Sequence, residues 1–511
     1  MALEQEKLAK VCHKAACRPF CLNLDRQLPI GNQQGAAVRL DIERPNRENQ
    51  MRRVIKISAY DEIKEKFMNF SLKKDFRLGV ATASTQIEGG DAGSNWNAFS
   101  AEGKIKDGSD VSRATQHYRL FREDADLLAS LNIRDYRMSL EWARIEPEEG
   151  VFSDEVLQHY REELLYLKNL GITPLITFYH FSHPLWFEAK GSFAKRENIG
   201  FYLRFIERCL ARLGDLCSDY ITLNEPNVFA SMGYLSGEWP PEETSFFKMI
   251  RVMNVFIEAH ISAYSLIHRV RSEAGFGASH VSFAHSMRVF TPFRKSIVDR
   301  LSASLQRFLF QDGLARACFT GQFRFPFRNL GHVKRGQYAD FIALNYYSQS
   351  HVRLWRGTLP PRTPVNDLNW EIYPPGLIEC CERCFAMIPV PIRISENGTC
   401  DNDDRFRARY IAEHLELVSK SALPISHYYH WCFIDNFEWK EGESARFGLV
   451  HCDYETQVRT VKQSGHFYAD LIRHGGMNDD MYRQYVAGQT YKLANSGKES
   501  INRVDAAGVI N

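Results

Sequence analysis

Residues 426–439, which read SHYYHWCFIDNFEW, are the stretch from which the fold prediction starts. They begin as an aromatic, strand-like run and end with an acidic residue, Glu438, between aromatic neighbours. Aromatic faces beside a carboxylate suit a sugar, because its C–H face packs on indole while its hydroxyls donate to the carboxylate. Taken alone, the stretch fits a core strand and a capped turn equally well. The same pattern, an apolar run followed by a polar group, recurs along the chain, and this recurrence favours a site.

Eight such runs can be followed along the chain, and we interpret each as a strand. They are residues 77–84, 133–142, 172–179, 220–223, 281–289, 341–344, 392–395 and the run that opens at 426. Apolar residues spaced by three and four separate most of them, as in Tyr118, Phe121, Ala125 and Leu128, which predicts helices between the strands. Alternating strands and helices predict a parallel sheet, and eight units predict its closure. The expected fold class is therefore α/β, a (β/α)8 TIM barrel.

The chain divides into three predicted segments around this barrel. Residues 1–70 have sparse, weakly periodic apolar residues and a polar loop at 44–50, so we predict an N-terminal accessory extension of unknown function. Residues 71–476 form the predicted barrel, which is a single catalytic domain. Residues 477–511 are the predicted C-terminal tail.

Composition excludes several function classes. The 511 residues are 44% hydrophobic and 25% charged, with a formal net charge of +2, so no nucleic-acid partner is expected. No stretch approaches the roughly 18 uninterrupted apolar residues of a membrane-spanning helix. Charges such as Glu4, Lys7 and Lys10 interrupt the N-terminus, so no signal-peptide core is expected and a cytoplasmic location follows. The sequence does not predict an oligomeric state.

Twelve cysteines are present, and their scatter predicts reduced, mostly buried thiols. Two groups could in principle bind a metal: Cys12, His13, Cys17 and Cys21, and then Cys380, Cys381 and Cys384. The first group does not have the spacing of a known zinc site, and the second lies in a helix-like segment in which Cys380 and Cys381 point in different directions. We therefore predict no metal and no organic cofactor.

Two glutamates dominate the predicted strand ends. Glu225 lies in TLNEP, residues 222–226, and Glu396 lies in ISENG, residues 394–398. Pro226 ends its strand and should restrict Glu225 to extended geometry at the tip. The active site of a TIM barrel is built at the carboxyl ends of its strands, so these polar residues should converge. Only the fifth predicted strand, 281–289, has no obvious chemical residue at its end.

Either glutamate alone could simply cap a helix. Together on one face, with aromatic and amide side chains, they form the pair that a glycosidase needs. One carboxyl protonates the departing glycosidic oxygen, and the other attacks the anomeric carbon or activates water.

The sequence resembles glycoside hydrolase family 1, the β-glucosidase family, over roughly residues 76–470. Six blocks carry the resemblance in the family's order: GVATASTQIEG (79–89), YRMSLEWARI (136–145), TLNEP (222–226), DFIALNYY (340–347), ISENG (394–398) and DNFEW (435–439). Residues outside that span are not part of the resemblance.

The resemblance implies a retaining β-glycosidase that hydrolyses terminal non-reducing β-D-glycosyl residues. Glu225 matches the general acid/base and Glu396 the nucleophile of a double displacement, which implies carboxyls about 5–5.5 Å apart and a covalent glycosyl-enzyme. Three residues match positions beside the nucleophile: Arg137, Tyr347 and Asn345.

The resemblance also implies a pocket for a small β-glycoside or an oligosaccharide. Its residues carry over as Gln86, His180, Asn224, Trp431, Glu438, Trp439 and Phe447. Asn224 matches the partner of the sugar's 2-hydroxyl. The chain departs from the family at Phe181, Ser182, Ser192, Phe193 and Cys432. The phenylalanine at 181 keeps an aromatic face but lacks an indole N–H, which leaves the glycone and aglycone preferences open.

Three alternatives remain beside a β-glucosidase-like hydrolase. A catalytically impaired sugar-binding relative would have lost a carboxylate, whereas Glu225 and Glu396 are both retained. A 6-phospho-β-glucosidase would need to bind a dianion, which Glu438 would repel despite the nearby Lys440. A transglycosylase shares the covalent intermediate, so the sequence does not separate it from a hydrolase.

Overall fold

The computed structural model describes residues 68–331 and 333–495. The predicted N-terminal extension therefore lies outside the described residues, apart from positions 68–70. The cluster of Cys12, His13, Cys17 and Cys21 lies outside them as well. The predicted C-terminal tail is described as far as residue 495, and the three segment boundaries stay predictions.

Eight parallel strands close into a barrel within the described residues. They are β1 Arg77–Ala81, β2 Asp135–Ser139, β3 Thr173–Tyr179, β4 Asp219–Asn224, β5 His280–Pro292, β6 Ile342–Arg353, β7 Ile392–Asn397 and β8 Ile425–Trp431. Each strand pairs in parallel with its neighbours along the chain, and β8 pairs with β1 to complete the ring. The predicted (β/α)8 barrel is confirmed.

The helices between the strands follow the predicted alternation. They are α1 His117–Ser130, α2 Asp154–Asn169, α3 Ile199–Leu213, α4 Phe246–Glu273, α5 Ile297–Arg307, α6 Gly313–Thr320, α7 Pro375–Phe385, α8 Arg407–Lys420 and α9 Gln463–His474. In α3 the residues spaced by three and four, among them Ile206, Leu210 and Leu213, are the buried ones. Burial of one apolar stripe explains why these segments are helical.

Shorter elements fill the loops. Helical turns occur at Ser84–Ile87, Asn95–Ala101, Trp142–Ile145, Leu185–Ala189, Ser192–Ala194, Arg196–Asn198, Pro226–Ser231, Met232–Ser236, Phe308–Asp312, Trp439–Glu441, Asp479–Met481 and Tyr482–Val486. Short strands pair as Phe70–Ser71 with Gly476–Met477, Pro364–Val365 with Lys492–Leu493, and Val450–Cys452 with Arg459–Val461, and Arg356–Gly357 pairs back onto β6.

The strand cores are buried on both faces. All six residues of β4 are buried, as are all five residues of β2. This is the burial expected of a parallel sheet that has side chains packed inside the barrel and helices outside it. Polar groups therefore reach solvent only beyond the strand ends, which is where a site can form.

Strand β6 is much longer than the sequence predicts, and β5 extends only slightly beyond its predicted range of 281–289. The sixth strand is predicted to end at residue 344, yet β6 continues to Arg353 and pairs with β5 as far as Pro292 and Val352. Asn345 is a polar residue inside this strand, and its polarity led the prediction to end the strand too early. The two strands thus project past the carboxyl end of the barrel as a paired extension.

Neither a membrane span nor a metal cluster is found in the described part of the chain. No helix there is long and apolar enough to cross a bilayer. No group of three or more His, Cys, Asp or Glu side chains there could hold a metal ion. The nine cysteines of this part are buried and unpaired, including Cys380, Cys381 and Cys384. The absence of a metal or cofactor and the cytoplasmic location stay predictions.

Candidate active site

A cavity opens at the carboxyl ends of the barrel strands, and most of the predicted site residues line it. The lining includes His180, Asn224, Glu225, Tyr347, Glu396, Trp431, Glu438, Trp439 and Phe447. The other three predicted residues, Gln86, Arg137 and Asn345, are fully buried and contact lining residues. The twelve side chains come from distant parts of the chain and meet at one end of the barrel. Their roles in catalysis stay predictions.

Glu225 follows β4 directly and has a left-handed backbone, with φ of 40° and ψ of 58°. The expectation of extended geometry before Pro226 is therefore wrong. The Glu225 N–H donates to the carbonyl oxygen of Ala284 on β5 (2.8 Å), and Pro226 begins the helix Pro226–Ser231. A residue with a side chain is strained at this φ, so the strand pairing and the helix start hold it there together. The turn directs the Glu225 side chain towards the cavity.

The Glu225 carboxyl has only neutral hydrogen-bond partners. Asn345 Nδ2 donates to Glu225 Oε1 (2.9 Å), and the Ser286 hydroxyl also bonds to the carboxyl. Burial, and secondly the negative charge of Glu396, raise the pKa of Glu225 to about 8. Loss of solvation disfavours the charged form of any buried acid, and a like charge nearby adds to this effect. Glu225 is therefore a carboxylic acid that stays protonated near neutral pH.

The Glu396 carboxyl has charged and strongly polar partners instead. The Arg137 guanidinium forms an ion pair with Glu396 Oε1, and the Tyr347 hydroxyl donates to Oε2 (2.6 Å). Burial raises the pKa of Glu396 above its ordinary value, while Arg137 and Tyr347 act in the opposite direction. A cation and a hydroxyl donor stabilise the ionised form of an acid. Glu396 is thus the member of the pair that is better suited to carry the negative charge.

Arg137 is held in place by neutral neighbours on three strands. Its guanidinium donates to Asn224 Oδ1 (2.7 Å), Thr177 Oγ1 (3.2 Å) and the Ser395 carbonyl oxygen (3.1 Å). These bonds leave no freedom for the planar guanidinium to rotate away from Glu396. A buried cation with so many partners keeps the carboxylate oriented as well as charged.

Asn345 connects the two carboxyls. Its Nδ2 donates to both Glu225 and Asn224, and its Oδ1 accepts from the Ser395 hydroxyl (2.6 Å), which fixes the orientation of the amide. Asn345 and Glu396 are also paired positions of neighbouring strands β6 and β7. Glu225 and Glu396 therefore lie on either side of one amide, close enough for the charge of Glu396 to affect Glu225.

Glu438 forms a polar wall with Gln86. Gln86 Nε2 donates to Glu438 Oε2 (3.1 Å) and to the carbonyl oxygen of Phe437 (2.9 Å), and the Trp431 side chain also bonds to Glu438. Burial, with a smaller contribution from Glu396, raises the pKa of Glu438 to about 8. This third buried carboxyl can accept hydrogen bonds from a hydroxyl-rich ligand or donate one to it.

Two buried polar atoms in this wall have no partner among the described residues: Gln86 Oε1 and His180 Nδ1. Asn224 Oδ1 already accepts from Arg137 and Asn345, so Asn224 Nδ2 must donate to His180 Nε2 (2.9 Å). His180 Nδ1 then carries the ring proton, because burial lowers the pKa of the imidazole far below its ordinary value. An unused donor and an unused acceptor are costly when buried and match the hydroxyls of a sugar.

Aromatic rings complete the cavity wall. The rings of Trp431 and Trp439 lie 5.7 and 5.9 Å from His180, and Phe181 packs 5.1 Å from Trp439. Phe181 therefore keeps an aromatic face at the position where the family usually has tryptophan, as the sequence predicts. Phe447 also lines the cavity and lies 6.5 Å from Tyr347. Aromatic faces of this kind suit the C–H face of a sugar ring.

Sequence reasoning missed several residues of the cavity. Ser286 and Arg288 line it from β5, Gln349 and Ser350 line it from the part of β6 beyond its predicted end, and Trp239 and Trp370 contribute further rings. Because the sixth strand is predicted to end at residue 344, Gln349 and Ser350 are not predicted as residues of the site. Ser286 is register-paired with Asn345, but this relation is visible only once the strands are aligned.

Comparison with known proteins agrees with this geometry. The sequence matches the family model described as glycosyl hydrolase family 1 over residues 68–477. It is 29% identical over 446 residues to β-glucosidase A of Thermotoga maritima, covering 79% of this chain and 98% of that protein. It is 32% identical to the β-glucosidase of an Agrobacterium species, covering 78% and 94%.

Solved structures give the same result. The β-glycosidase of Pyrococcus horikoshii superposes with a TM-score of 0.75 at 33% identity, covering 82% of this chain and 98% of that one. The Thermotoga maritima β-glucosidase in complex with glucoimidazole superposes with a TM-score of 0.74 at 28% identity, covering 80% and 100%. The chain is therefore a glycoside hydrolase and belongs to glycosyl hydrolase family 1.

Proposed function

We propose that the chain is a retaining β-glycosidase of the β-glucosidase type, which hydrolyses terminal non-reducing β-D-glycosyl residues by double displacement. The observation that carries this proposal is the contrast between two neighbouring buried carboxyls. Glu225 has neutral partners and a pKa of about 8, whereas Glu396 is paired with Arg137 and Tyr347. One fold thus provides a proton donor and an anion side by side.

In the first step, the Glu396 carboxylate attacks the anomeric carbon. Glu225 gives its proton to the glycosidic oxygen as the bond to the leaving group breaks, so the aglycone departs as a neutral alcohol. The product is a glycosyl ester of Glu396. The transition state resembles an oxocarbenium ion, and the remaining negative charge on Glu396 stabilises it.

In the second step, Glu225 acts as the base, because Glu396 has lost its negative charge. Esterified Glu396 is neutral, so it no longer raises the pKa of Glu225, and Glu225 can stay ionised. Glu225 then takes a proton from a water molecule as the water attacks the anomeric carbon. The ester bond breaks, Glu396 becomes a carboxylate again, and the sugar leaves with its original β configuration.

The pocket supports a glucose-like glycone without excluding related sugars. Gln86, His180 and Glu438 offer a hydroxyl-rich ring an acceptor, a donor and a carboxyl, and Asn224 is the proposed partner of the 2-hydroxyl. The Thermotoga maritima relative has been solved with glucoimidazole and also with galacto-hydroximolactam. Both complexes are of the Thermotoga maritima protein, and they support the proposal that this chain has a pocket of the same kind.

A phosphorylated glycone is disfavoured by the surroundings of Lys440. Its ammonium forms an ion pair with Glu238, and the neighbouring Glu438 is a buried carboxyl bonded to Gln86. A phosphate dianion at this end of the cavity would find Lys440 already paired with Glu238, and the buried Glu438 carboxyl beside it offers no positive charge. Transglycosylation would follow the same two steps, with a hydroxyl group of a second sugar in place of water in the second step.

A panel of nitrophenyl β-glycosides, followed by NMR of the first-formed sugar anomer, tests the proposed function. We expect release of nitrophenol and a first-formed β anomer, because two inversions retain the configuration. A first-formed α anomer would contradict the double displacement. Binding of glycosides without any release of nitrophenol would instead indicate a sugar-binding protein.

Tyr347→Phe should lower kcat/KM by about 10- to 100-fold, because it removes a hydrogen bond to an ionised group. Since the Tyr347 hydroxyl lowers the pKa of Glu396, its removal should raise that pKa. The ionised form of Glu396 is the active one, so the acidic limb of the kcat/KM profile should move to higher pH. Tyr166→Phe is the control, because Tyr166 bonds to Asp126 outside the cavity. A Tyr347→Phe profile that matches the control would contradict the assignment.

A further inference from the structure

Five large apolar side chains form an exposed patch beside the cavity end of the barrel. Ile297, Val298 and Leu301 lie on α5, and Leu354 and Trp355 lie at the turn after β6; each is 50–72% exposed among the described residues. Exposed apolar residues are usually scattered singly, and a group of this size is typical of an interaction surface. We call these residues, together with the cations around them, the basic-apolar patch.

The two parts of the patch are joined by a buried carboxylate. Asp299, in the first turn of α5, accepts from the backbone N–H of Leu354 through Oδ1 (2.8 Å) and from Arg294 through Oδ2 (2.9 Å). Just after the end of β5, the Phe293 N–H donates to the carbonyl oxygen of Val352 on β6 (2.8 Å). The helix and the turn therefore present their apolar side chains side by side on a rigid base.

The charge around the patch is strongly positive. Residues 294–301 and 353–356 contain five Lys or Arg and one acid: Arg294, Lys295, Arg300, Arg353, Arg356 and Asp299. Asp299 forms an ion pair with Arg294, so it offsets one of these five positive charges. The whole chain, by contrast, has 64 Lys and Arg against 62 Asp and Glu. The positive excess is thus a local property of the surface that also exposes apolar side chains.

We propose that the basic-apolar patch docks the protein onto the surface of an anionic lipid bilayer. Trp355 is an aromatic side chain of the kind that sits at the level of the headgroups, and the aliphatic side chains can enter the acyl boundary. The surrounding cations match the negative headgroups. A second copy of the chain fits less well, because an isologous contact would bring the positive excess of one patch against the same positive excess of the other.

The position of the patch relates docking to the cavity. Strands β5 and β6 line the cavity with Ser286 and Ser350 and then run on to the patch. Leu354 lies four residues beyond Ser350, at most roughly 13 Å along an extended chain. Docking therefore brings the cavity mouth close to the lipid surface. The inference does not rest on the proposed function, because binding is measured without turnover.

Vesicle flotation of the full-length chain tests the proposal. We expect binding to vesicles of phosphatidylcholine mixed with phosphatidylserine and no binding to phosphatidylcholine alone. Added salt should weaken the binding, since it screens exposed charges. Leu354→Ser combined with Trp355→Ser should lower the partition coefficient about tenfold or more, because it removes apolar groups that enter the interface. Arg300→Gln combined with Arg356→Gln should lower it by a similar factor.

Val151→Ser is the matched control, because Val151 is another half-exposed aliphatic residue, just before α2 on a different part of the barrel. It should leave vesicle binding unchanged, and every variant should keep the circular dichroism spectrum and the melting temperature of the wild type, which excludes misfolding. The proposal is overturned if the wild-type chain does not bind anionic vesicles, or if both double variants bind as it does. A dimer that becomes a monomer in Trp355→Ser, seen by sedimentation without vesicle binding, would assign the patch to a second copy.

Discussion

Glu396→Gln should reduce turnover of aryl β-glucosides to background, a loss of about 10⁴-fold or more, because an amide cannot attack the anomeric carbon. The variant also removes the anion that pairs with the fully buried Arg137, so some loss of stability is expected. The measurement is the rate of nitrophenol release at a temperature at which circular dichroism shows the variant folded. Residual activity within tenfold of the wild type would exclude Glu396 as the nucleophile.

Glu163→Gln provides the matched control for a buried glutamate. Glu163 is also buried and is hydrogen-bonded to His117, whose pKa its acidic partners raise to about 10, so the partner is a cation. Glu163 lies outside the cavity. When folded, this variant should keep its activity within a few-fold of the wild type. Activity loss of the same size in both variants would indicate that any buried glutamate is needed for the fold, and the comparison would then not support a chemical role for Glu396.

Glu225→Ala should affect substrates according to their leaving group. Poor leaving groups, such as a second sugar, need protonation, so kcat/KM should fall by about 10²- to 10⁴-fold. Dinitrophenyl glycosides leave without protonation, so their kcat/KM, which reports the first step, should fall far less. Equal losses on both kinds of substrate would contradict the role of Glu225 as the acid.

The same variant should also change the pH profile. The wild-type kcat/KM should fall as the pH rises through the pKa of Glu225, about 8, because the protonated form is the active one. In Glu225→Ala, measured with dinitrophenyl substrate, this alkaline limb should be absent. An alkaline limb that persists unchanged would assign it to another group, such as Glu438, whose pKa is also about 8.

The barrel could be predicted from the sequence because its signals are local. Each strand is a short apolar run, each helix has a stripe spaced by three and four, and the ends of the strands have polar residues. Glu225 and Glu396 followed from the same logic, since parallel strands end on one face. Strand length was harder, because Asn345 looks like the end of a strand when its pairing with Ser286 is not known.

Features that depend on several segments at once could not be predicted. The left-handed backbone of Glu225 arises from a hydrogen bond to Ala284 on another strand, against the preference of a residue before proline. The exposure of Trp355 and Leu301 likewise depends on what packs beside them, since either could equally be core residues by composition. The local sequence pattern determines whether a segment is a helix or a strand. Tertiary contacts determine where the backbone is strained and which apolar side chains are exposed.

The most direct test of the central claim, that Glu396 and Glu225 act from opposite sides of the anomeric carbon, is NMR of glycosyl azides. Glu396→Gly and Glu225→Ala are each incubated with an activated β-glucoside and azide. We expect the α-glycosyl azide from Glu396→Gly, because azide takes the place of the missing nucleophile. We expect the β-glycosyl azide from Glu225→Ala, because azide there attacks the glycosyl-enzyme in place of water. The same azide anomer from both variants, or no azide product from either, would contradict the account.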